Sequence, residues 1–130
     1  MEEKPVRVLV VDDQMPFRNA AKTVVRVTPG FEVVGEAESG EQAVELAATL
    51  EPDLVLMDIN LPGIDGIEAV RRITAARPET IAFLVSTIKE NDLPSDARTC
   101  GAAAFVSKES FEPAVLTSLW ENRGDAAWRG

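Results

Sequence analysis

Histidine and tyrosine are absent from the chain, cysteine occurs once, and aromatic residues make up only 5% of it. Without an imidazole the chain cannot build a Ser-His-Asp relay, a Cys-His pair or a histidine-ligated zinc site. Any step that needs an imidazole must take it from another molecule. The lone Cys100 excludes an intrachain disulfide and, beside Gly101 and Ala102, reads as a core filler rather than a nucleophile. Bases are also scarce, 13 against 22 acids, for a net charge of −9. That balance disfavours direct contact with nucleic acid or an anionic membrane and favours a cation or a basic protein surface as partner. No apolar run approaches the roughly 18 residues of a membrane span. Met1-Glu2-Glu3-Lys4-Pro5 lacks signal-peptide character, so a cytoplasmic location is expected.

What the chain does have is 45% apolar and 27% charged residues over 130 positions, the composition of an ordinary globular domain. One domain is expected over 1–130, with its core at about 6–122 and a short tail at 124–130 carrying Trp128, expected to be disordered. Four apolar runs each end on residues that chemistry can use. Val6 to Val11 ends in Asp12-Asp13, Leu54 to Met57 in Asp58, Ile81 to Val85 in Ser86, and Ala102 to Val106 leads through Ser107 to Lys108. Phe31 to Ala37 alternates as a further strand.

Helical spacing fills the gaps between the runs. Phe17, Ala20, Ala21, Val24, Val25 and Val27 recur on one face until Pro29-Gly30. Ser39-Gly40-Glu41-Gln42 has the form of a capping box before Ala43, Leu46, Ala47 and Leu50. A third helix is read from Ile64 through Ile67, Val70 and Ile73 to before Pro78. A fourth is expected from a cap at Asn91 or Asp92, with Pro94 in its first turn and Gly101 as its end. The fifth uses Glu112, Val115, Leu116 and Leu119.

Five strands alternating with five helices predict an α/β fold, a doubly wound parallel sheet in the flavodoxin-like strand order 2-1-3-4-5. Its switch point lies between strands 1 and 3, bringing Asp12 and Asp13 up to Asp58. Carboxylates sharing one crevice repel each other unless a cation compensates them. A set of acids without imidazole or thiolate suits Mg²⁺ rather than zinc. Mg²⁺ and Lys108 on either side of Asp58 would neutralise an arriving phosphoryl group, to which Ser86 could donate a hydrogen bond; carboxylates do act as covalent phosphoryl acceptors. Each feature alone has a plainer reading: Asp12-Asp13 as a helix cap, Asp58 as the start of the Leu61-Pro62-Gly63 turn, Ser86 and Lys108 as solvated polar positions. Their shared place at one end of successive runs is what argues for a site.

Val10-Val11-Asp12-Asp13, Leu56-Met57-Asp58-Ile59-Asn60-Leu61-Pro62-Gly63-Ile64-Asp65-Gly66, Leu84-Val85-Ser86-Thr87, and Gly101-Ala102 with Phe105-Val106-Ser107-Lys108 together resemble the receiver domain of bacterial two-component response regulators, chemotaxis-regulator-like, from about Val6 to Leu119. The resemblance implies that Asp58 accepts a phosphoryl group from a phosphohistidine on a histidine kinase or phosphotransfer protein. It implies Mg²⁺ bound by Asp13, Asp58 and the carbonyl of Asn60, with Asp12 acting through water. Lys108 and Ser86 would then meet the phosphoryl oxygens, and Phe105 would follow Ser86 as the aromatic switch. The domain would be a phosphoacceptor rather than an enzyme, whose face of helix 4, strand 5 and helix 5 meets a downstream protein or a second copy.

Three positions depart from the family pattern. Glu109 follows Lys108 where many members have proline, Phe105 replaces a frequent tyrosine, and Ser86-Thr87 offers two hydroxyls, of which Ser86 fits the spacing. Ile88 stands where members vary the lifetime of the phosphoryl group, and an aliphatic side chain there implies a long one; simple packing is the alternative. Phe105, Phe111 and Trp120 could belong to the output face, although ordinary packing explains Trp120 as well. Phe17 and Arg18 would lie near the site on helix 1, the surface that receives the kinase by this resemblance; an exposed Phe17 would support docking and a buried one plain core. Two other functions stay open: a receiver-like adaptor that signals without phosphorylation, and a small Mg²⁺-dependent aspartyl phosphatase of the haloacid-dehalogenase type. The phosphatase needs a second acid where Asp58-Ile59-Asn60 offers an amide. A flavodoxin-like cofactor binder is opposed by the charge of Asp12-Asp13 where neutral donors are needed.

Overall fold

A computed structural model describes residues 4–123. The apolar runs become the strands β1 (Val6–Val11), β2 (Phe31–Ala37), β3 (Leu54–Asp58), β4 (Ile81–Ser86) and β5 (Ala104–Ser107). All pair in parallel, in the order β2-β1-β3-β4-β5. Parallel strands buried on both faces should be apolar throughout, and β3 is buried at every position.

Alternate residues feed two separate cores. Leu9, Val11, Val55, Met57, Ala82 and Leu84 face one side, while Val8, Val10, Leu54, Leu56, Phe83 and Val85 face the other. The first side is covered by α2 (Gly40–Leu50) and α3 (Gly66–Ala76) through Ala43, Ala47, Ile67, Val70 and Ile73. The second is covered by α1 (Met15–Val27) and α4 (Pro113–Glu121) through Ala21, Val25 and Leu116. Removing either layer would return a full sheet face of leucine, valine and phenylalanine to water.

Local signals fix several element ends. The Ser39 hydroxyl accepts from the Gln42 N–H at 3.1 Å, while the Gln42 side chain reaches past Ser39 to accept from the Glu38 N–H at 2.8 Å. α3 begins at Gly66 rather than Ile64, because Asp65 is its cap and accepts from the Glu68 N–H at 2.9 Å.

The expected fourth helix between β4 and β5 is not an α-helix. The described residues contain four α-helices, and the Asn91-to-Gly101 stretch instead overlaps two short 3₁₀ turns, Glu90–Asp92 and Ser95–Arg98. Pro94 has no N–H to give and separates the turns, and Asn91, Asp92, Ser95, Asp96 and Thr99 are weak helix formers. Only Ala97 and Cys100 in this stretch are fully buried, with half-buried Leu93 packed on the first core. That is too little apolar surface to impose a helix on such a sequence. Residues 1–3 and the expected tail at 124–130, with Trp128, lie outside the described residues.

Candidate functional site

The strand register creates the site. Val11 lies opposite Met57, so Asp12 and Asp58 follow side by side at the carboxyl edges of β1 and β3. Asp58 in turn lies opposite Val85, and Ser86 opposite Ser107, which puts Ser86 and Lys108 on the same edge. One carboxylate oxygen from each of Asp12, Asp13 and Asp58 lies within 4.8 Å of the others. Asp12 and Asp58 are buried at 1% and 4% exposure, and Asp13 is exposed.

Lys108 is the cation of this cluster. Its Nζ lies 2.7 Å from Asp12 Oδ2 and 3.7 Å from Asp58 Oδ2, and sits 4.6 Å from the centre of the Phe17 ring. Asp12 Oδ1 accepts from the Gln14 N–H at 2.8 Å. Oδ2 is buried and is paired with the Lys108 ammonium. Burial pushes the Asp58 carboxyl up to about 6, and the charge of Asp12 adds to this. Lys108 and the Asn60 N–H pull it down less strongly. The site therefore holds more negative charge than its own residues neutralise.

This is the chemistry of a hard cation site. Three closely spaced carboxylates with a single ammonium among them fit Mg²⁺. Asn60, two residues after Asp58, is exposed beside this cluster.

Ser86 is fully buried and its Oγ accepts from the Ile88 N–H at 3.1 Å, whereas Thr87 is exposed. Phe105 is half-buried against the α2–α3 core and lines a cleft of about 410 Å³ with Thr87, Ile88, Lys89 and Ser107. Phe111 and Trp120 do not join it. Both pack on the opposite core, Phe111 at 9% exposure and Trp120 edge-on to Phe31 with ring centres 6.1 Å apart. With only 3₁₀ turns between β4 and β5 among the described residues, the expected output face reduces here to those turns, β5 and α4. Buried Cys100 donates its thiol to the Ala97 carbonyl, and burial raises its pKa, as suits a core filler.

Three neighbours make contacts with the site that local sequence patterns do not record. Gly66 packs so closely on the chain that a Cβ there would stand 1.9 Å from the Asp58 carbonyl oxygen. Glu41, from the first turn of α2, accepts from the Ile64 N–H at 3.0 Å and tethers the loop after Asp58. Arg18 is 8% exposed and turned inward, donating from Nη1 to the Asp12 carbonyl at 2.8 Å. Phe17 is half-buried under Lys108.

Comparison with known proteins gives the family. The family described as the response regulator receiver domain matches residues 8–120. The chain is 40% identical over 121 residues to a protein-glutamate methylesterase/protein-glutamine glutaminase of Pseudoalteromonas atlantica, covering 92% of this chain and 30% of that protein. It is 37% identical over 103 residues to the response regulator GacA of Pseudomonas aeruginosa, covering 79% of this chain and 48% of that protein. Among solved structures, the response regulator domain of Thermotoga maritima CheB superposes with a TM-score of 0.82 at 31% identity, covering 92% of this chain and 97% of that one. The receiver domain of a NarL from Mycobacterium tuberculosis gives 0.85 at 29% identity, covering 95% and 99%. The chain spans between about a third and a half of the length of these curated relatives. No helix among the described residues is long and apolar enough to cross a membrane. The chain belongs to the receiver domain family of two-component response regulators.

Proposed function

We propose that Asp58 accepts a phosphoryl group from a phosphohistidine of a histidine kinase or phosphotransfer protein, in a reaction that requires Mg²⁺. The observation that carries this reading is the placement of Lys108 between Asp12 and Asp58 within a set of three carboxylates. Asp58 attacks phosphorus as its carboxylate, the P–N bond of the donor breaks, and the electron pair leaves on the partner's imidazole. Asp13, Asp58 and the Asn60 carbonyl would hold the cation, with Asp12 beside it. Mg²⁺ supplies charge compensation and alignment to the phosphoryl oxygens.

Lys108 then exchanges one anionic neighbour for another. In the structure its ammonium lies closest to Asp12, and a phosphoryl group on Asp58 brings new anionic oxygens within its reach. Ser86 gives its hydroxyl proton to one of those oxygens, releasing the Ile88 N–H that it now accepts. Phe105 follows into the space vacated, changing the cleft it shares with Thr87 and Lys89. That cleft and the neighbouring turns, β5 and α4 form the surface offered to a downstream protein or a second copy.

The unit would act as one domain over about 6–122, in the cytoplasm, with no enzymatic activity beyond its own phosphorylation and dephosphorylation. The methylesterase relatives are enzymes over their full length, of which this chain matches 30% in one case and 31% in another. Incubation with acetyl phosphate and Mg²⁺, followed by intact mass, tests the proposal. One added phosphoryl group is expected on the wild type and none on Asp58→Asn or in excess EDTA. Uptake that is unchanged in Asp58→Asn would overturn it.

A further inference from the structure

Arg18 and Glu36 have no part in the chemistry above, yet they connect the site to the edge of the sheet. Arg18 Nε donates to Glu36 Oε1 at 2.7 Å while its Nη1 donates to the Asp12 carbonyl at 2.8 Å. Glu36 stands on the edge strand β2, with its side chain 41% exposed. Its other oxygen accepts from Lys22 Nζ at 2.7 Å. The guanidinium is thus clamped between a surface carboxylate and the backbone of a buried site residue.

This clamp has a geometric consequence. Asp12 is fixed from two sides, at its carbonyl by Arg18 and at Oδ1 by the Gln14 N–H. The remaining Oδ2 is buried and faces the Lys108 ammonium at 2.7 Å. A planar guanidinium spans two acceptors with fixed geometry, which a lysine ammonium does not reproduce. The geometry points to Arg18, oriented by Glu36, as a positioning residue that holds Asp12 in the attitude a cation requires. This inference rests on the Mg²⁺ reading above and deepens it, because it makes an exposed residue on β2 a handle on the metal site. Both hydrogen-bonded cations hold the Glu36 carboxyl below the usual carboxylate range, as a permanent anchor demands.

The test is Mg²⁺ affinity, read by calorimetry and by the amide NMR shifts of Asp12, Asp13 and Gln14, in Glu36→Gln, Arg18→Lys and Lys22→Gln. Partners that orient metal ligands typically contribute tenfold or more to affinity. Mg²⁺ binding is therefore expected to weaken about tenfold in Glu36→Gln and Arg18→Lys. The phosphorylation rate at saturating Mg²⁺ should stay near that of the wild type. Lys22→Gln touches Glu36 but not Asp12 and should leave the affinity alone. Glu36 is exposed enough that its variant folds even if Arg18→Lys does not. Unchanged affinity in Glu36→Gln, or an equal loss in Lys22→Gln, would overturn the positioning role while leaving the proposed function in place. A wild type that binds no Mg²⁺ would remove both.

Discussion

Gly66 and Asp58 are in backbone contact: a Cβ built on Gly66 would lie 1.9 Å from the Asp58 carbonyl oxygen. The Gly66 N–H also donates to the Ile59 carbonyl at 2.8 Å, so the first turn of α3 is drawn onto the end of the strand that carries Asp58. The contact is with the Asp58 backbone, which no side-chain rotation can relieve. Gly66→Ala is expected to destabilise the domain by about 2–4 kcal/mol in urea denaturation, through forced backbone displacement. It should slow phosphoryl uptake even below its melting temperature. A change within about 0.5 kcal/mol, the range of an ordinary surface substitution, would contradict the contact.

The pH dependence of metal-free stability follows from Asp58. Burial, with the charge of Asp12 beside it, pushes its carboxyl up from 3.8 to about 6 in the folded chain. The folded state therefore binds more protons between these values, and stability falls as pH rises through that window. The deficit above pH 6 amounts to about 2–3 kcal/mol, at 1.4 kcal/mol per unit. Asp58→Asn removes it. In EDTA the variant should be more stable than the wild type by about that amount at pH 8 and equally stable below about pH 4. A constant difference across the range would rule out this origin.

Lys108→Met removes the one ammonium between Asp12 and Asp58. Two buried carboxylates then face each other without it, and metal-free stability at pH 8 should drop by about 1–3 kcal/mol. Mg²⁺ should bind several-fold more tightly, because a competing cation has gone, while phosphoryl uptake slows. Weaker Mg²⁺ binding in this variant would show that Lys108 does not compete for the same charges.

How much of this was legible in the sequence depends on what each residue relies on. Asp12, Asp13, Asp58, Ser86 and Lys108 could be grouped because each follows an apolar run, and parallel strands bring such ends to one edge. Arg18 and Phe17 could not be sorted, since both follow Asp13 on α1 and only packing turns Arg18 under Asp12. Gly66 and Glu41 act through backbone contacts across elements, which no local pattern records. The stretch before β5 carries helix-like signals but forms only 3₁₀ turns. A stripe of Leu93, Ala97 and Cys100 is compatible with helical spacing, but Pro94 and five weak helix formers prevail where so little surface is buried.

Ile88 borders the cleft beside Ser86 and packs partly against the α2–α3 core. An aliphatic side chain there offers no hydrogen bond to orient attacking water, so the aspartyl phosphate should persist. Ile88→Glu is expected to speed its decay several-fold, measured as loss of the phosphorylated mass after donor removal. An unchanged decay would assign Ile88 to packing alone.

The most direct measurement is the position of the phosphate itself. An acyl phosphate can be reduced by borohydride, which converts the modified aspartate into homoserine and marks it for peptide mass mapping. After reaction with acetyl phosphate and Mg²⁺, homoserine is expected at position 58 and to vanish when EDTA replaces Mg²⁺. Homoserine at Asp12 or Asp13, or none anywhere under conditions where Mg²⁺ binds, would contradict the account.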